Sequence, residues 1–150
     1  MMPTDVKWLE KNIKVGSALS LSAVCGTAVL LSFYKVTTWD VFWHLKVGQV
    51  ILETGRLVTT NLFSSVWSDY PWPNPEWLFQ VLLAALHGAA GWRGLTIAKT
   101  FVVLLFALIL YASIRTRGGR PVTAAALAII TLGAAQFRLT ERPHLFSYLF

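Results

Sequence analysis

The sequence predicts an all-α fold: a polytopic helical membrane protein with three transmembrane helices, the start of a fourth, and two interfacial helices in the first outer loop. Three observations predict it. Hydrophobic residues make up 55% of the chain and charged residues only 13%, a balance that a water-facing surface does not sustain. Long charge-free runs alternate with short basic clusters. Seven Trp, nine Phe and four Tyr supply the aromatic load that suits a membrane–water interface, where a ring is half wet and half apolar.

The first span is expected at residues 15–34, about twenty residues without a charge, enough to cross a hydrocarbon core of about 30 Å. Lys7, Lys11 and Lys14 precede it and Lys35 closes it. A cleaved signal peptide has the same basic start, but this run is too long for a typical signal core and no small-x-small site follows, so the span reads as uncleaved. The second span is expected at 95–114, with Lys99 near its start, where a lysine can snorkel to the headgroups. Arg115, Arg117 and Arg120 follow around Gly118-Gly119, and Pro121 opens a third span at 122–137. A fourth begins at Pro143, and the chain stops within that apolar run, as expected of the N-terminal part of a larger domain covering 1–150.

Orientation follows from basic density in short flanks. The N-terminal lysines and the arginine turn belong on the cytoplasmic side, which sets residues 37–94 outside and the N-terminus inside. Arg138 and Arg142 then lie outside against the rule, so either the third span is misread or those two arginines have a task there. The net charge of +6 does not point to nucleic acid, because the basic residues are scattered between apolar blocks and form no stripe. The single Cys25 excludes an intrachain disulfide and any multi-cysteine zinc site.

Chemistry concentrates in the outer loop. Residues 39–54 read as a helix with Gly55 as its stop. At 100° per residue, Lys46, Gln49 and Glu53 share a solvated face, while Asp40 and His44 fall opposite with Trp43, Val47 and Ile51. Gly48 continues that row and leaves space beside the pair. A carboxylate and an imidazole on an apolar face cost energy unless they meet a partner, a metal or a substrate. The plainer alternative is that Asp40 caps the helix or favours its positive N-terminal end, with His44 pairing to it. The stretch from Trp67 to Trp77 holds three prolines and stays extended, with Asp69 a turn residue. Asn74 then reads as an N-cap, Pro75 as the first helical residue and Glu76 as a first-turn acid. The helix at 76–90, about 22 Å long, is expected to lie in or dip into the interface, the alternative being a true span that would invert everything downstream, with His87 a structural residue. Finally, Thr140-Glu141-Arg142-Pro143-His144 either caps the fourth span or uses Arg142 and His144 to hold a phosphate, whose oxygens suit a guanidinium.

Several of these stretches resemble a known family. Trp39-Asp40-Val41-Phe42-Trp43-His44-Leu45-Lys46-Val47-Gly48-Gln49 and Leu52-Glu53-Thr54-Gly55-Arg56-Leu57 are similar to the first outer loop of bacterial GT-C-type polytopic membrane glycosyltransferases. That group includes oligosaccharyltransferase-like and protein mannosyltransferase-like enzymes. Thr60-Asn61-Leu62-Phe63-Ser64, Pro71-Trp72 through Glu76-Trp77-Leu78, and Arg142-Pro143-His144-Leu145-Phe146 resemble it too, in the same order along the chain. Asn61 departs from the pattern, where an Asp precedes the Phe-Ser pair, and so does Pro75, where a polar residue precedes Glu-Trp.

The resemblance implies sugar transfer from a polyprenyl-phosphate-linked donor at the outer face of a bacterial plasma membrane. It implies catalytic roles for Asp40, His44 and Glu76, with Asp40 as base or as ligand to a divalent cation such as Mg or Mn. Substrate contacts then fall to Arg142, His144 and Trp43. Partners would be the lipid bilayer and the polyprenyl-linked sugar, with no nucleic acid. Such enzymes carry many more spans, so this portion alone is expected to be inactive. The alternative is a non-catalytic transport or assembly component that uses the aromatic loop for docking.

Overall fold

The computed structural model describes residues 4–36, 38–67 and 70–149. The turn expected at Asp69 lies outside the described residues. Four α-helices follow in order, α1 (Thr4–Ser32), α2 (Asp40–Thr54), α3 (Trp77–Thr116) and α4 (Pro121–Ala135), and then two 3-10 helices, Gln136–Arg138 and Pro143–Leu149. Among the described residues there is no strand, only an antiparallel bridge between Thr60 and Pro71. Three helical segments, Asn12–Ser32, Trp77–Thr116 and Pro121–Arg138, are long and apolar enough to cross a membrane. Large apolar side chains face outward on them, among them Leu19, Leu30, Phe101 and Ile130, as hydrocarbon requires and water does not tolerate. The chain is a helical membrane protein.

Four details differ from the sequence reading. The helices expected at 76–90 and 95–114 are not separated by a loop. They meet inside α3 at Gly91, whose φ of 59° and ψ of −156° break the helix, in a region open essentially to glycine alone. Helical structure starts at Trp77, so Glu76 stands just before the first turn. Lys99 does not reach for headgroups. It is only 3% exposed, donates from Nζ to the Tyr34 carbonyl at 3.2 Å and lies 3.6 Å over the centre of the Tyr34 ring, a cation–π contact that compensates for lost water. The segment expected to open a fourth span is the 3-10 helix Pro143–Leu149.

The fold divides into two compact units. The first comprises the chain up to Tyr34, Lys99–Leu139 and the segment from Leu145 onward. Its α1 and α4 pack against each other through small side chains. Ser20, Val24, Ala28 and Ser32 form a buried row on α1, each four residues from the next, and Ala124, Ala125 and Ala128 are buried on α4. Without a water-driven term between helices, close approach of backbones is what holds spans together, and small residues permit it. Val103, Ala107 and Tyr111, again four apart, bring the second part of α3 into the same cluster. Tyr34 closes this unit at one end, donating its hydroxyl to the Leu139 carbonyl at 3.2 Å.

The second unit comprises Lys35–Ala98 and Thr140–His144. Here α2 packs on the first part of α3 through Val41, Leu45, Leu83, Ala84 and Leu95. A neighbouring cluster joins Val47 and Ile51 to Val58, with Trp72 and Val81 against it. Gly48 is the point of closest approach. A Cβ there would overlap the Gln80 backbone carbonyl and stand 2.9 Å from the Ala84 Cβ. The space expected beside the Asp40–His44 row is thus filled by α3.

Candidate functional site

The helix α2 forms because its apolar residues recur at helical spacing and because Gly55 ends it. Gly55 takes the left-handed conformation at φ 66° and its N–H closes on the Ile51 carbonyl at 2.9 Å, the usual glycine C-terminal stop. Asp40 opens the helix, near its positive end. Trp39, and not Asp40, occupies the N-cap position, with no side-chain cap bond, so Asp40 is not the cap, while its place in the first turn is the one the positive helix end favours. One turn further on, His44 is carried into the interior, 7% exposed.

Asp40, Trp43 and His44 line a cavity of about 410 Å³ together with Glu76, Arg142, Pro143 and His144. All six residues singled out as candidate site residues in the sequence therefore come together around one space, although they come from three separate stretches of chain. The Asp40 Oδ2 lies 2.6 Å from an Arg142 guanidinium nitrogen, and both side chains remain about half exposed, at 50% and 46%. Beside it Glu141 is buried and accepts a bond from the Thr38 hydroxyl at 3.3 Å, which ties the Arg142 segment to the approach to α2.

His44 faces Glu76, with Nδ1 to Oε2 at 3.7 Å. Burial holds its imidazole below the ordinary histidine value. The carboxylates of Glu76 and Asp40 oppose that shift, and the Arg142 guanidinium adds to it. The ring is clamped by aromatic neighbours, 4.6 Å from Trp43 and 5.3 Å from Phe79, both edge-on. Trp43 also meets Trp72 edge-on at 4.9 Å and stacks near Phe63 at 6.2 Å. The cavity is therefore lined on one side by Trp43, which is held from behind by other aromatic rings, and elsewhere by charged and polar groups.

Sequence reasoning missed Gln80. It is fully buried at 0% exposure, and its Nε2 lies 3.4 Å from His44 Nδ1. The same nitrogen donates to Asn74 Oδ1 at 3.0 Å, while Asn74 Nδ2 donates to Gln80 Oε1 at 2.6 Å. Asn74, expected to cap the helix, is instead one half of this amide pair. A polar residue four positions after Glu76, inside an otherwise apolar helix, was the available signal. His87 stays apart from the cavity, its ring 4.6 Å from that of Trp92, in keeping with a structural role.

A divalent cation does not fit the donor set. Among the described residues no three of His, Cys, Asp and Glu gather as ligands, and Asp40 is engaged by a guanidinium of opposite charge. Chemically, the cavity offers a half-exposed carboxylate, a cationic group beside it, and a buried imidazole held in one orientation. No family model, curated protein or solved structure matches the chain.

Proposed function

We propose that this chain belongs to a membrane glycosyltransferase of GT-C type, transferring a sugar from a polyprenyl-phosphate-linked donor at the outer face of a bacterial plasma membrane. The observation that supports this reading is the convergence of Asp40, His44, Glu76, Arg142 and His144 on one cavity beside an aromatic wall. These are the positions at which the sequence resembles that family.

The chemistry follows from the charges. An acceptor hydroxyl attacks the anomeric carbon, the bond from that carbon to the phosphate oxygen breaks, and the phosphate leaves with the electron pair. Asp40 takes the proton from the acceptor, and Arg142 with His144 offsets the charge growing on the phosphate. At rest Asp40 and Arg142 hold each other. A phosphate entering the cavity competes for the guanidinium, which binds such oxygens in a bidentate fork, and releases the carboxylate to act as base. Trp43 and its aromatic neighbours would form the apolar wall against the sugar.

The test is transfer of labelled sugar from a short-chain polyprenyl-phosphate donor, assayed in membranes containing the protein. Asp40→Asn preserves shape and removes the base, so transfer should fall by about 10²-fold or more while donor binding persists. Wild-type transfer by that variant would sink the proposal. Absence of transfer by the unsubstituted protein would favour the docking component instead, a role for which the outward Trp39 and Trp67, 87% and 64% exposed, are suited.

A further inference from the structure

We infer that Gln80 is a positioning residue that fixes His44 as the neutral tautomer protonated on Nε2, which makes His44 a hydrogen-bond donor and not a base. The geometry behind this is a buried chain of amides. Gln80 Nε2 has two hydrogens. One is given to Asn74 Oδ1 at 3.0 Å and the other is directed at His44 Nδ1 at 3.4 Å. The return bond from Asn74 Nδ2 to Gln80 Oε1, at 2.6 Å, holds the Gln80 amide in that orientation. An N–H directed at Nδ1 requires a lone pair there, so the ring proton resides on Nε2.

The surroundings maintain this arrangement. Gln80 is fully buried, where a polar side chain without partners would be costly. Its backbone is seated against Gly48, one turn after His44 on α2, so the histidine and the glutamine are held by the same helix contact. Phe79 and Trp43 close edge-on around the imidazole and restrict its rotation. Glu76, on the same side of the ring at 3.7 Å, pulls the other way, toward a proton on Nδ1. Gln80 is the closer partner and is itself braced by Asn74.

For catalysis this assigns His44 the task of donating from Nε2 while Asp40 remains the group that accepts a proton. That catalytic consequence rests on the glycosyl-transfer reading, whereas the tautomer itself does not. The reverse assignment has a definite structural meaning. If both amides were turned over together, Gln80 Oε1 would face Nδ1–H and His44 would present a lone pair on Nε2.

Nitrogen NMR of the detergent-solubilised chain, labelled only at histidine, reads this directly. The ring nitrogen that carries the proton and the one that carries the lone pair resonate far apart, and the spectrum of His44→Gln identifies the His44 signals. The expected result above neutral pH is a single pattern with the proton on Nε2. Gln80→Glu keeps the shape but sets a carboxylate against Nδ1, so the proton should move to Nδ1. Asn74→Ala removes the brace and should yield a mixture of the two tautomers. A proton on Nδ1 in the wild type, or an unchanged pattern in Gln80→Glu, overturns the inference. No substrate is needed, so failure here is distinguishable from failure of the proposed activity. Asp40, Glu76 and Arg142 act electrostatically on His44, and each stays intact in these variants.

Discussion

Asp40 and Arg142 lie 2.6 Å apart, yet each is about half exposed, and that combination decides what the pair does. Water screens a half-exposed pair, so its contribution to stability is small, about 1 kcal/mol or less. Arg142→Ala should therefore leave the unfolding midpoint in detergent nearly unchanged. The same substitution should sharply weaken retention of a polyprenyl phosphate, measured by binding in nanodiscs, and Arg142→Lys should recover only part of it, because a point charge cannot reproduce the bidentate fork. His44 behaves differently, since burial is the first cause of its lowered value. The folded state holds fewer protons on this ring than the unfolded chain does. Its contribution to stability is thus complete above the unfolded histidine value of about 6.5 and is lost as pH falls through the lower folded value. Unfolding curves followed downward from pH 7.5 should show this loss, and His44→Gln should flatten that part of the profile. An identical slope in the variant would mean that other groups carry it.

At the scale of elements, the contact between α2 and the first part of α3 depends on one missing side chain. Gly48→Ala sets a methyl group against the Gln80 carbonyl, and backbone cannot yield as a flexible side chain does. Forced overpacking of this kind costs about 1–3 kcal/mol. Near-UV circular dichroism and thermal unfolding in detergent should both register it, the first because Trp43 and Phe79 lie beside the displaced residues. Much of this architecture was legible beforehand. The glycine stop at Gly55 and the proline start of α4 rest on local rules and hold, and the face assignment in α2 holds for His44, Val47 and Ile51, which are buried, while Asp40 and Trp43 stay exposed. What escaped was tertiary. Lys99 read as a snorkelling residue because its acceptor, Tyr34, lies 65 residues away. Asn74 read as a cap because the partner that outcompetes the helix N-terminus, the Gln80 amide, becomes visible only once the chain has turned.

For the whole molecule, the separation of polar chemistry from apolar spans explains why the site was partly readable. Asp40 and His44 stand out because a charged group and an imidazole on an apolar helix face conflict with local expectation. Glu76, Arg142 and His144 lie on no apolar helix face, and were singled out by a helix start, by the charge rule with the fit of a guanidinium to phosphate, and by their place in an ordered set of motifs. Gln80 belongs to neither kind, since its only signal was one amide in an apolar run, with no periodicity and no motif to give it a role. The topology remains the broadest prediction. Cysteines placed singly at Lys46, His144 and Gly118, in a Cys25→Ser background, should label from outside at the first two positions and be protected at Gly118. External labelling of Gly118 would mean that the first part of α3 crosses the bilayer, and the outer-face assignment would fall.

The hydrogen bond from Tyr34 to Leu139 joins residues 105 positions apart, and this has a consequence for biosynthesis. A ribosome adds about 5–20 residues per second, so α1 enters the membrane on the order of 5–20 s before the residues that complete its packing exist. During that interval the buried serines of α1 have no α4 to face. Ser32 already donates to the Ala28 carbonyl of its own helix at 2.6 Å, so its hydroxyl can wait in lipid without a tertiary partner. The first helix is built to be stored before it is used.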